Sequence, residues 1–229
     1  MNLASLKIKI YADGADLPTM LRLNADPLIK GLTTNPTLMR KAGITDYEKF
    51  ARSVLEQVTE KPLSLEVFAD DEDEMERQAR KIASWGSNVY VKIPITNSQG
   101  LSTLRIINNL SESGVKVNVT AILTPAQVAG ASTFLSPETP SIISIFNGRI
   151  MDTGSHPLAH QAKAPNQEIL WASTREPWNI WQANAMGYDI ITVPAAILDK
   201  AKEMQGKNLA ELSLDTVRMF VRDGAGYSL

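Results

Sequence analysis

Cysteine is absent from the 229 residues, histidine occurs only twice, and aromatic residues make up 6% of the chain. Without cysteine there is no disulfide, no thiolate nucleophile and no Cys-based zinc site. A metal-dependent mechanism draws on several imidazoles, and only His156 and His160 are present. Pro157 interrupts their i, i+4 spacing and MDTGSHPLAHQAKAP reads as a loop, so both are expected to be solvated, with no metal site and no cofactor. No apolar run approaches the roughly 18 residues of a spanning helix, and MNLASLKIKIYADGAD turns polar too early for a secretory leader. The 23 Lys+Arg against 25 Asp+Glu, net −2, supply no general attraction to nucleic acid or an anionic membrane. The four tryptophans, Trp178 and Trp181 among them, read as helix packing and not as a stacking platform for bases. These absences point to a soluble, cytoplasmic protein whose partner is a small molecule.

What is present is a repeat. Eight short runs rich in Ile and Val, each followed by a polar loop and an amphipathic stretch, read as strands. They are Ile8–Ala12, Ile29–Thr33, Leu63–Phe68, Asn88–Ile93, Val115–Ala121, Ser141–Phe146, Glu168–Ala172 and Asp189–Val193. Between them, Thr45 and Glu48 have capping-box spacing, Gly86 and Gly114 sit where helices would end, and Thr124-Pro125 reads as a cap followed by proline at the first helical position. Alternating βα units imply parallel strands, and eight of them close a barrel. An open doubly wound sheet is the competing fold, but no G-x-G-x-x-G or P-loop is present. The expected fold is therefore α/β, a (β/α)₈ TIM barrel of one domain over 1–229, with 209–229 as an additional C-terminal helix and tail. That helix can cover its own barrel or dock on a neighbouring subunit; the spacing of its apolar residues does not choose.

In such a barrel the active site gathers at the C-terminal ends of the strands. There the sequence places Asp13, Asn35, Glu66, Lys92, Asn118 with Thr120, Ser144, Ser173 and Thr192. Lys92 interrupts the apolar run VYVKIP. One explanation is a structural ion pair with Glu66 or Asp13, which is costly to desolvate. The other is a nucleophile: desolvation favours a neutral amine able to attack a carbonyl and form a Schiff base. The iminium then acts as an electron sink for cleavage of a neighbouring C–C bond, with Asp13 and Glu66 available to move protons. Arg149 and Arg175 follow the sixth and seventh strands and suit a phosphate group.

The motifs GLTTNPTL (31–38), VKIPIT (91–96), VNVTAILTPAQ (117–127), SIFNGRIMD (144–152) and WASTRE (171–176) together resemble the transaldolases across nearly all eight units. The resemblance implies that Lys92 is the Schiff-base lysine, Asp13 the acid/base for the hydroxyl proton, and Glu66 with Thr120 the holders of a catalytic water. It implies sugar contacts from Asn35, Asn118 and Ser144, with Thr34 and Phe146 also counted among the substrate-binding residues. Phosphate contacts would come from Ser173, Arg149 and Arg175. The implied reaction transfers a dihydroxyacetone unit from a ketose phosphate such as fructose 6-phosphate to an aldose phosphate such as erythrose 4-phosphate. Similar short aldolases, which release free dihydroxyacetone, carry glutamine and tyrosine where this chain has Glu66 and Phe146, so both positions favour the transferase. YADGAD departs from the family's Asp-Ser/Thr-Ala pattern, and Asp13 is chosen over Asp16 by its strand-end position. The short chain resembles members that assemble into rings, which implies a homo-oligomer.

Overall fold

A computed structural model describes residues 2–159 and 163–227. Eight parallel strands close on themselves in sequence order, β1 pairing with both β2 and β8. The strands are β1 (Lys9–Asp13), β2 (Ile29–Thr33), β3 (Leu63–Glu66), β4 (Val89–Pro94), β5 (Val117–Ile122), β6 (Ser141–Ile145), β7 (Gln167–Trp171) and β8 (Ile190–Pro194). The helices are α1 (Leu17–Asn24), α2 (Pro36–Lys41), α3 (Tyr47–Leu55), α4 (Glu72–Ala83), α5 (Leu104–Glu112), α6 (Pro125–Phe134), α7 (Asn147–Asp152), α8 (Trp178–Ala185), α9 (Ala195–Met204) and α10 (Leu209–Gly224). This is the expected (β/α)₈ barrel with an extra C-terminal helix; residues 228–229 of the expected tail lie outside the described residues.

Alternation along each strand divides the apolar residues into two populations. One parity faces the helices: Ile10, Leu32, Leu65, Val91, Ile93, Val119, Ile143, Ile169 and Ile191 join the main core with helix residues such as Met20, Met75, Ile107 and Leu198. Each such side chain contributes about 1.5–3 kcal/mol on burial. The other parity faces the barrel interior, where Tyr11, Tyr90, Ile142, Leu170 and Ile190 form a separate apolar plug. Below the plug, at the N-terminal end of the strands, Lys9 and Glu168 pair at 2.7 Å. Above it, the same parity brings Asp13, Thr33, Glu66, Lys92, Asn118, Ser144 and Thr192 to the opposite rim. Polar residues one pleat further along thus become a cup with an apolar floor.

Several boundaries differ from the sequence reading for identifiable reasons. β3 ends at Glu66 and not Phe68 because Gln78 Oε1 accepts from Phe68 N and Ala69 N at 2.9 and 3.0 Å, drawing the chain out of the sheet. The cap of α3 is Asp46, whose carboxylate accepts from Lys49 N at 3.0 Å, and not Thr45. Glu48 turns to Arg52 and Lys81 at 2.8 and 2.6 Å. Gly114 follows α5 with φ +83°, the left-handed turn that favours glycine. Gly86 instead is a close-packing position: a Cβ there would lie 3.2 Å from Leu55. Thr124 caps α6 as expected, and Gln127 completes a capping box. Trp181 packs against the core, whereas Trp178 stacks on it at 6.4 Å and remains 56% exposed.

Gly31 lies under the Tyr11 ring, where an added Cβ would be 2.5–2.8 Å from three ring atoms. Gly31→Ala is expected to lower unfolding stability by about 1–3 kcal/mol through overpacking, read by urea denaturation; Tyr11→Phe in the same background, which leaves the ring in place, should not restore it.

Candidate active site

The rim residues enclose a cavity of about 540 Å³ bounded by all eight strand ends. On β4, Lys92 is 7% exposed; its Nζ donates to Glu66 Oε2 at 2.9 Å and to the Thr34 carbonyl at 2.8 Å. Strand register makes this possible, since Glu66 and Lys92 are direct partners across β3 and β4. The ion pair weighed from the sequence is therefore real, and both of its members open on the cavity. Thr120 on β5 donates to the other Glu66 oxygen at 3.4 Å.

Asp13 closes β1. Thr33 donates to its Oδ1 at 2.8 Å and Asn35 Nδ2 to its Oδ2 at 3.3 Å. The Asn35 amide is held the right way round because its Oδ1 caps α2 through Leu38 N at 2.9 Å. Burial pushes the Asp13 carboxyl above the ordinary carboxylate range; Lys92 and the Thr33 hydrogen bond oppose this, Glu66 adds to it, and Asn35 again opposes. Asp16, the rejected candidate, is an exposed cap of α1 through Thr19 N.

Across the cavity a second polar chain is buried. Ser144 donates to Asn118 Oδ1 at 2.7 Å, and Asn118 Nδ2 donates to Ser64 Oγ at 3.1 Å. The Ser144 proton is committed, so this oxygen meets a ligand as an acceptor.

The loops after β6 and β7 form the cationic end. Arg149 on α7 lies 5.5 Å from the Phe146 ring centroid and has no carboxylate partner among the described residues. Arg175 presents Nε and Nη2 to Asp152, at 3.1 and 2.5 Å from Oδ2, which leaves its remaining terminal nitrogen unassigned. Ser173 adopts φ +65°. A Cβ on Gly148 would fall 1.6 Å from the Ser173 carbonyl oxygen, so only glycine lets α7 start against this turn and bring Arg149 beside Ser173.

Asp13, Asn35, Glu66, Lys92, Asn118, Thr120, Ser144, Phe146, Arg149, Ser173 and Arg175 all border the one cavity. Thr34 does not. Its hydroxyl donates to the Ser64 carbonyl at 3.2 Å, away from the opening, and it meets Lys92 only through its backbone. This corrects its place among the substrate-binding side chains: Thr34 lies one residue past Thr33 and has the opposite parity. Thr33, Lys41 and Ala121 also border the cavity, and Asp152 joins the site through Arg175. Thr33 was visible as the inward residue two beyond Gly31; nothing in the sequence ties Asp152 to Arg175.

A model of the Transaldolase/Fructose-6-phosphate aldolase family matches residues 10–226. The chain belongs to the transaldolase/fructose-6-phosphate aldolase family. Similar proteins named "Probable transaldolase" include one from Maridesulfovibrio salexigens, 32% identical over 216 residues, covering 91% of this chain and 97% of the relative. One from Thermoanaerobacter sp. is 34% identical over 210 residues, covering 83% and 88%. One from Methanococcus maripaludis is 32% identical over 201 residues, covering 84% and 89%. Among solved structures, 2,3-dimethylmalate lyase, a PEP mutase/isocitrate lyase superfamily member, superposes with TM-score 0.50 at 15% identity, covering 97% of this chain and 86% of that one. The latter likeness is one of fold alone. Family and relatives make this an enzyme of the aldolase/transaldolase type.

Within the described part of this family member, no three His, Cys, Asp or Glu residues form a metal-binding group. His156 is exposed, and His160 lies outside the described residues. No described helix is long and apolar enough to cross a membrane.

The raised Asp13 carboxyl has a stability consequence. Between the ordinary value of 3.8 and its raised folded value, the native state binds more protons than the unfolded one, so this group's contribution falls as pH rises. Asp13→Asn should therefore be more stable than the parent at neutral pH, with the advantage shrinking on acidification toward pH 3.8, as measured by thermal unfolding across that range.

Proposed function

We propose that the cavity transfers a dihydroxyacetone unit between sugar phosphates through a Schiff base on Lys92, as a transaldolase. The observation that carries this reading is a buried amine opening on a cavity between two carboxylates, with Glu66 Oε2 at 2.9 Å. Glu66 takes a proton from the Lys92 ammonium, and the neutral amine adds to the ketose carbonyl. Loss of water gives an iminium that accepts the electron pair of the adjacent C–C bond. Asp13 removes the hydroxyl proton on the carbon beyond that bond, the bond breaks, and an aldose phosphate leaves. The enamine left on Lys92 attacks the acceptor aldehyde, and Asp13 returns its proton to the new hydroxyl. Water held between Glu66 and Thr120 hydrolyses the final iminium.

Asn35, Asn118 and Ser144 orient the sugar hydroxyls, while Arg149, Ser173 and Arg175 receive the phosphate. Phe146 offers no phenol to deliver a proton to the enamine, which favours transfer to an acceptor over release of dihydroxyacetone. The reaction needs no cofactor and suits a cytoplasmic setting, where sugar phosphates are found.

The test is borohydride reduction with fructose 6-phosphate, followed by peptide mass spectrometry, beside an assay with and without an aldose-phosphate acceptor. An adduct on Lys92 with acceptor-dependent turnover is expected. An adduct elsewhere overturns the lysine assignment, and acceptor-independent release of dihydroxyacetone makes the enzyme an aldolase.

The protein is proposed to assemble as a homo-oligomer through α10. That helix buries none of its residues, and Leu214, Val217 and Val221 recur at helical spacing beside a 64% exposed Phe220. Light scattering should give a multiple of 25.1 kDa, reduced by Val217→Asp/Phe220→Asp with unchanged circular dichroism. A parent mass of 25.1 kDa would remove the assembly.

A further inference from the structure

Thr33 is 3% exposed and its hydroxyl oxygen lies 2.8 Å from Asp13 Oδ1 and 2.5 Å from Thr192 Oγ1. A hydroxyl has one proton to give. When Asp13 is ionised, the Thr33 proton goes to the carboxylate, and Thr33 must accept from Thr192. The two threonines, on β2 and β8, flank β1 on both sides, and strand register fixes them there: Asp13 pairs with Thr33, and Tyr11 with Thr192. The hydroxyl chain Thr192 to Thr33 to Asp13 therefore has one direction. It forms part of the cavity wall and is carried by strands, not loops.

We propose that Thr33, oriented by Thr192, is a positioning residue that holds Asp13 as a hydrogen-bond acceptor and so sets where this carboxyl gains and loses its proton. The charged groups facing Asp13 are Lys92 from β4 and Glu66 from β3, of opposite sign. Asn35 supplies the other donor, at a longer 3.3 Å. Thr33 is the closer donor of the two, and a hydrogen bond to a charged group is among the stronger ones a side chain makes. Removing it leaves the half-buried Asp13 with one weak donor, which favours the protonated form.

The role in turnover rests on the Schiff-base reading, but the protonation role does not, and a direct titration separates them. In protein labelled with ¹³C at aspartate carboxyls, the Asp13 resonance, assigned by its loss in Asp13→Asn, is followed against pH in the parent, Thr33→Val and Thr33→Ser. The midpoint is expected to rise in Thr33→Val and return in Thr33→Ser, with Thr192→Val shifting it in the same direction. In the transfer assay the acidic limb of kcat/KM should move with the midpoint, with Thr33→Val about tenfold below the parent on that limb. A midpoint unmoved in Thr33→Val, or moved equally in Thr33→Ser, overturns the proposal. A moved midpoint in a protein that traps no sugar on Lys92 upholds the Asp13 role and rejects the Schiff-base chemistry.

Discussion

Everything in this molecule depends on β1 pairing with β8. An open sheet leaves two edges and lets its strand ends fan apart; closure with parallel strands sends all eight C-terminal ends to one rim and fixes their relative heights. Partners across neighbouring strands, Asp13 with Thr33 and Glu66 with Lys92, are direct consequences of that register. The groups most expensive to bury, an ammonium and two carboxylates, thus come together where each finds partners. Lys92 has Glu66 and the Thr34 carbonyl, and Asp13 has Thr33 and Asn35. A core made only of apolar layers would be simpler to stabilise; the polar upper layer is retained at the cost of desolvation.

The strands were legible because two alternating environments leave alternating marks. In VYVKIP, Val89, Val91 and Ile93 face the helices while Tyr90 and Lys92 face inward, and a lysine inside a barrel stands out. The acid, base and amide residues were legible for the same reason, each lying at or just beyond a strand end. What failed to show depended on distances between segments remote in sequence. The Asp152 contact to Arg175 joins the end of α7 to the loop after β7, and the close approach of Gly148 to the Ser173 carbonyl joins the same two connections. Thr34 stands apart from the cavity because the parity of its position, and not its place in GLTTNPTL, decides where its side chain goes. The choice of Asp46 over Thr45 as cap turned on one residue of register, below what capping patterns resolve.

The cationic end differs in construction from the proton-handling end. Asp13, Glu66 and Lys92 sit on strands whose ladders leave little freedom. Ser173, by contrast, sits in a left-handed turn after β7, and Ala121, at φ +59°, marks the register shift near the end of β5. Non-glycine residues in that region carry backbone strain of order 1–3 kcal/mol and persist where surrounding contacts enforce it. Here Thr174 bonds the Thr192 carbonyl at 2.7 Å, and Asn179 accepts from Arg175 N at 3.0 Å. The turn is anchored at the two residues that follow the strained one, so the arginine leaves a fixed point even though its tip is exposed.

The Tyr11, Tyr90, Ile142, Leu170 and Ile190 plug has a consequence for traffic. Among the described residues it closes the barrel from below and leaves the cup open at the rim. Whatever enters must leave the way it came, and a molecule in the doorway bars the next. Two visitors that both need the bottom of the vessel can only take turns, so the geometry imposes a queue before any chemistry has begun.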